Sequence, residues 1–471
     1  MPQLLSEYLI LDGDECIMGL MAKHFVEGKE LPFFFYGQSY GFSLIEVSSI
    51  GLFYKLSSIS DLTVKSAMLT LWIIGIVFFY MTIRDLAQKK NKWLALFITL
   101  LFIFFPSFAI WSMKARGGYI SAFLLTSICT YLLLRKKQNG YFLVSFSFGF
   151  LIILIYQSQT LFLVGLIPLI AYRLYLEKSL KNLFAILSGM LLGTLSFYLL
   201  KMNLSNYWSP EVFSFNHFNL ENFLSIPKKI YHHLTGSYDY SEFILPTLAN
   251  RIMALCLSGY IFLSLIIGLI YKFNKRKITP LFYVSSLSVL ATIAYLMLMD
   301  GNNYRYLLPL SGFVFLQLFL LLDSLDKKYN QIIQLCLMGF ILLGSYSLYD
   351  FKNYATDDRK PRILSYIQHL EERGINYVYS DSGVLQWKLL FYSNERIIAR
   401  YMHLVDRYPP YIQAVDRAYH DPNLKTALLG YINSRTPEAE GNLSWFKDRF
   451  FTFENPSRDL LNERGFKLNS Q

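Results

Sequence analysis

Apolar runs long enough to cross a bilayer recur along most of this chain. A helix needs about 20 residues to span about 30 Å of hydrocarbon, and the pattern predicts about ten such helices. They are Val64 to Ile83, Trp93 to Ser112, Tyr119 to Leu134, Tyr141 to Tyr156, Leu161 to Leu176, Leu183 to Leu200, Ile252 to Tyr271, Ile278 to Met299, Tyr306 to Leu322 and Ile332 to Tyr349. After Tyr349 the long apolar runs stop and charged residues become frequent. There Ile363, Tyr366, Ile367 and Leu370 recur at helical spacing, Gly374 ends that helix, and Ile375 to Tyr379 alternates as a strand. Val384 to Phe391 reads as a further helix and Arg396 to Tyr401 as a further strand, while Asp406 to Tyr411, with its Pro409-Pro410 pair, reads as a rigid loop.

Charge orients the spans. Basic residues mark cytoplasmic ends, and every second loop is basic: Lys89, Lys90 and Lys92; Arg135, Lys136 and Lys137; Lys178 and Lys181; Lys272, Lys275, Arg276 and Lys277; Lys327 and Lys328. The other loops, the start of the chain and everything after Asp350 then lie outside. The predicted fold class is mostly α: a polytopic transmembrane helix bundle with a small extracytoplasmic α/β domain at the C-terminus. Residues 1–63 form an outer and interfacial segment, 64–349 the bundle with a long outer loop at 201–251, and 350–471 the α/β domain.

This topology puts the N-terminus outside, about sixty residues before the first span, although Met1 to Leu11 lacks the basic start and apolar run of a signal peptide. The expectation is a further membrane helix encoded upstream of Met1. About 20 apolar codons in frame before it would agree; stop codons just upstream of a ribosome-binding site at Met1 would refute it.

Composition agrees with a membrane chain. Of 471 residues, 54% are hydrophobic and only 16% charged, against roughly 25% in soluble domains. The net charge of +11 sits on the predicted cytoplasmic rim, so it is an orientation signal and points to no nucleic-acid partner. Cys16, Cys129, Cys256 and Cys336 are scattered without metal-ligand spacing and read as packing residues.

Candidate chemistry lies on the outer side. Asp12, Asp14 and Glu15 precede a helical pattern carrying Ile17, Leu20, Met21 and Phe25. Acids here serve equally as an N-cap and first-turn charges or as a general base or divalent-cation ligand at the membrane interface. Lys114, Arg116 and Arg305 break the positive-inside pattern in short outer loops; they fit either lipid-phosphate snorkelling or a bound substrate phosphate. Glu46, in an interfacial helix within Ser39 to Ser60, is expected on the solvated face. His232 and His233 lack zinc spacing, and the 201–251 stretch is expected to shape a substrate cavity.

Asp14-Glu15, the turn Gly28-Lys29-Glu30-Leu31-Pro32 and Tyr36-Gly37-Gln38-Ser39-Tyr40 together resemble the GT-C superfamily of polytopic glycosyltransferases, in the branch similar to protein mannosyltransferases and lipid A aminoarabinose transferases. Lys114 to Tyr119 resembles that family's R-G-G-Y turn, and Tyr304 to Pro309 its R-Y-L-L-P helix entry. The resemblance implies that the family's first helix should precede Asp14, which is the helix missing from the topology. It also implies catalysis by Asp14 and Glu15, and substrate binding by Gln38, Tyr40, Lys114, Arg116 and Arg305. The family's further acid near the arginine has no counterpart between Ser112 and Tyr119, which leaves Asp14 the leading base. The implied reaction moves a sugar from a polyprenyl-phosphate donor, with inversion, to a glycan, lipid or protein acceptor outside a bacterial plasma membrane. Competing readings are a polymerase or ligase of lipid-linked glycans, a transporter or flippase, and an inactive truncated member.

Overall fold

A computed structural model describes residues 4, 10–87, 91–135, 142–177, 179–202, 220–236, 238–239, 242–243, 247–273, 279–298, 304–325, 329–349, 359–402, 406–432, 443–447 and 449–468. Most of the predicted basic rim lies outside these residues. Helices α1 (Gly13–Val26) and α2 (Leu44–Leu56) come first. The apolar runs follow as α3 (Asp61–Leu86), α4 (Lys92–Phe104) with the short α5 (Pro106–Trp111), α6 (Tyr119–Leu134), α7 (Phe142–Ser158), α8 (Thr160–Glu177) and α9 (Leu180–Met202). After α10 (Leu220–Thr235) and a hairpin of β1 (Tyr238–Asp239) and β2 (Glu242–Phe243) come α11 (Leu248–Phe273), α12 (Pro280–Leu298), α13 (Leu310–Asp323) and α14 (Asn330–Tyr349).

Among the described residues each apolar run read from the sequence falls largely on helix, with breaks in two; the run from Tyr306 begins in a 3-10 turn, Tyr304–Leu307, and enters α13 only after Pro309. The second run is split because Pro106 has no N–H to continue the ladder and keeps Phe105 extended, at φ −72° and ψ 126°. Among the described residues, α3, α9, α12 and α14 are long and apolar enough to cross a membrane by length and composition, and α4, α6, α7, α8, α11 and α13 carry shorter apolar stretches. α9 leaves Phe184, Leu187, Leu191, Leu195 and Leu199 on its surface, an apolar face suited to lipid. Cys16 and Cys129 are packed inside, whereas Cys256 and Cys336 are exposed.

The C-terminal part is a five-stranded mixed sheet flanked by helices α15 (Arg359–Glu372), α16 (Gly383–Tyr392), α17 (Pro409–His420) and α18 (Arg458–Glu463). Strands β3 (Ile375–Ser380), β4 (Ile398–Arg400), β5 (Lys425–Tyr431), β6 (Leu443–Phe446) and β7 (Phe450–Glu454) lie in the order β4-β3-β5-β7-β6. β3 runs parallel to β4 and β5, while β7 is antiparallel to β5 and β6. The segment Asp406 to Tyr411 is only partly a loop, because Pro409 and Pro410 occupy the first positions of α17. The first-turn amides of a helix have no intrahelical partner, so proline loses nothing there.

One core runs from α1 through α2, α3, α4, α6 and α13 into α16. α1 was expected to bury one face, yet Cys16, Met18, Leu20, Met21 and Ala22 are all buried. The reason is α16, which covers the outer face that α2 leaves open; the Leu11 N–H donates to the Tyr392 hydroxyl at 2.8 Å. The C-terminal part thereby fixes the helix whose first turn carries the candidate acids.

Candidate active site

The first turn of α1 folds as a capping box. The Glu15 N–H donates to Asp12 Oδ1 at 3.1 Å, and the Asp12 N–H donates to Glu15 Oε2 at 3.1 Å, satisfying amides that the helix cannot pair itself. The capping reading of these acids is thus realised, and the same acids also meet charge. Glu15 is fully buried and paired with Lys65 of α3 and, at 3.6 Å, with Lys114. Asp12 takes Lys114 at 3.2 Å and Arg116. Burial alone raises the Asp12 carboxyl, but Arg116, Lys114 and Lys65 together hold it well below the usual carboxylate range.

Asp14 lines a cavity of about 680 Å³, with Asp12 beside it on the same wall. Its Oδ2 lies 3.2 Å from Arg116 Nη1 and 3.9 Å from Arg305 Nη1, and its Oδ1 lies 3.9 Å from Arg407 Nη1. Gln38, Tyr40, Tyr119, Gln159 and Tyr306 line the same space, and the C-terminal part closes it with residues such as Asp381, Trp387 and Tyr431. Burial raises the Tyr40 hydroxyl, keeping it a donor at neutral pH. Three helix N-termini meet at this cavity, through Gly13 and Asp14 of α1, Gly117 and Tyr119 at α6, and Ser382 and Gly383 at α16. Carboxylates already meet two of these ends, Asp12 as the cap of α1 and Glu46 at the first turn of α6. Among the described residues the connected ion pairs join five cations, Lys65, Lys114, Arg116, Arg305 and Arg407, to three carboxylates.

The Arg116 side chain is aimed by the turn that follows it. Gly118 has φ +91°, and a Cβ there would stand 2.7 Å from the Ser158 carbonyl oxygen, so only glycine fits. Behind this turn Glu46 is wholly buried, contrary to the expected solvated position. Its Oε1 accepts from the Ser121 N–H at 3.0 Å and the Ser121 hydroxyl at 3.3 Å, capping α6. The side chain faces the bundle because α2 packs against α3 and α6 rather than lying free on the interface.

Of the seven candidate site residues, Asp14, Gln38, Tyr40, Arg116 and Arg305 line the cavity. Glu15 and Lys114 lie beneath it in the ion-pair layer. Lys65 and Arg407 escaped sequence reasoning: one reads as a span-end lysine, the other as a loop residue about 390 positions from Asp14. None of the described residues of 201–251 lines this cavity; α10 lines a separate apolar cavity of about 320 Å³ with α11, α12 and Gln317. His233 packs against Phe108. Among the described residues no three His, Cys, Asp or Glu side chains gather as a metal site, and the three acids that do cluster each face lysine or arginine.

No protein-family model matches this chain, and no curated protein matches it by sequence. Solved structures do. The structure of ArnT from Cupriavidus metallidurans bound to undecaprenyl phosphate aligns over 96% of this chain and 95% of that one, with a TM-score of 0.62 at 10% identity. Its apo state aligns over 94% and 93%, with a TM-score of 0.46 at 12% identity. The chain therefore has the ArnT-like fold, a polytopic helical bundle with a small C-terminal sheet.

Proposed function

We propose that the chain is an integral membrane glycosyltransferase that takes a sugar from a polyprenyl-phosphate donor and transfers it, with inversion, to an acceptor hydroxyl outside a bacterial plasma membrane. One observation carries the reading: Asp14 stands in a cavity within 3.2 to 3.9 Å of three guanidinium groups. The binding of undecaprenyl phosphate by a protein of the same fold supports the lipid-linked donor.

In this mechanism the guanidinium groups of Arg116 and Arg305 turn from Asp14 to the donor phosphate. Asp14 is then free to accept the proton of the acceptor hydroxyl as its oxygen attacks the anomeric carbon. The bond from that carbon to the phosphate oxygen breaks, and the departing polyprenyl phosphate gains negative charge, which the arginines stabilise. Glu15 acts as a positioning residue: its ion pairs with Lys65 and Lys114 hold the first turn of α1. Gln38 and Tyr40 contribute hydrogen-bonding groups to the sugar. The apolar bundle gives the polyprenyl tail a medium it can enter.

Asp14→Asn tests the base. Transfer from polyprenyl-phosphate donors in membranes should fall by at least about a hundredfold, with undecaprenyl phosphate binding retained. Turnover near the wild-type level would remove Asp14 from the mechanism.

A further inference from the structure

Arg407 reaches the cavity from the C-terminal part, and its approach is built. Asp406 fixes the backbone around it by accepting the Tyr401 N–H at 2.8 Å, the Tyr408 N–H at 3.3 Å and Gln386 Nε2 at 2.9 Å. Tyr408 stacks on Tyr36 with ring centroids 4.6 Å apart. The chain passes so close to Gly37 that a Cβ there would lie 2.8 Å from Arg407 Cβ and 2.9 Å from its Cα, at a φ of +69°. The guanidinium sits over the Phe35 ring at 5.1 Å. Beside it, Glu395 binds Lys23 at 2.5 Å and His24 at 3.0 Å, tying the C-terminal part to the far end of α1.

Among the described residues five cations meet three carboxylates here, Arg116 being shared between Asp12 and Asp14. Arg407 comes from the C-terminal part onto Asp14 Oδ1, the oxygen that Arg116 and Arg305 leave to it. Like charges gathered this closely repel unless an anion joins them. We infer that Arg407 is a phosphate-binding residue, so that the donor's phosphate site is composite and is complete only with the C-terminal part docked on α1. This rests on the polyprenyl-phosphate reading above. It gives the C-terminal part a share in donor binding.

The test uses the full chain in lipid nanodiscs, with undecaprenyl phosphate as probe and undecaprenol as its uncharged counterpart, bound species being counted by native mass spectrometry. Arg407→Ala and Arg407→Gln should each weaken undecaprenyl phosphate binding about ten- to a hundredfold, Arg407→Lys less, and none should alter undecaprenol binding. Arg396→Ala, at an exposed arginine paired with Glu371, should change neither. Since Arg407→Gln keeps the stem over Phe35, it separates lost charge from lost folding. Wild-type preference for the phosphate that persists in both neutral variants overturns the assignment of Arg407 alone; no preference in the wild type removes the donor reading and this assignment with it.

Discussion

Glu46 makes the behaviour of the arginine-bearing turn depend on pH. Burial pushes its carboxyl from 4.5 up to about 7, while hydrogen bonds from the backbone of Ser121, Gly118 and Ile120 limit the rise. The folded chain then binds the Glu46 proton more tightly than the unfolded chain, so this group's contribution to stability falls as pH rises. Full stabilisation holds below 4.5, and the loss is complete once pH passes about 7. At about 1.4 kcal/mol per pH unit, the loss is about 3 kcal/mol. Glu46→Gln stays neutral throughout and keeps a carbonyl to accept the Ser121 N–H. The variant should match wild type near pH 4 and exceed it by up to about 3 kcal/mol near pH 8. Denaturant titration of the purified chain in micelles at several pH values reads the difference. An identical decline in wild type and variant between pH 5 and pH 8 would refute the account of Glu46 as a buried acid that titrates near neutrality.

Two further outcomes test the layer beneath the cavity. Lys65→Met leaves the buried Glu15 with Lys114 alone at 3.6 Å and should cost about 3–5 kcal/mol; Glu15→Gln combined with it should recover most of that, and a Lys65→Met midpoint equal to wild type rejects the pairing. Gly118→Ala forces a Cβ against the Ser158 carbonyl at φ +91°, so it should lower stability by about 1–3 kcal/mol and slow transfer by displacing Arg116. Unchanged turnover would show that the turn does not aim Arg116.

What could be read before the fold was known depended on how far each signal reached along the chain. The apolar runs are local, and each became largely helix; the breaks at Pro106 and Pro309 were equally local but lay inside the runs. Asp14, Arg116 and Arg305 stood out because a carboxylate and cations in loops predicted to lie outside form short ordered motifs. Lys65 and Arg407 carry no such local mark. Glu46 was misplaced because its neighbours left the buried face of α2 undecided, and only contact with α6 made that face internal.

The sequence by itself determined the helical content, the predicted orientation of the spans and the identity of the acid at the head of α1, since hydrophobic period, charge bias and capping chemistry act over one or two turns. Tertiary structure decided that Asp12 and Asp14 line the cavity while Glu15 is buried against Lys65 and Lys114, and it decided that the C-terminal part supplies both the cover of α1 and a third arginine. Those outcomes depend on side chains from α1, α3, the turn before α6 and the loop before α17 meeting within 4 Å, and a charge contact of that kind leaves no periodic trace in the chain.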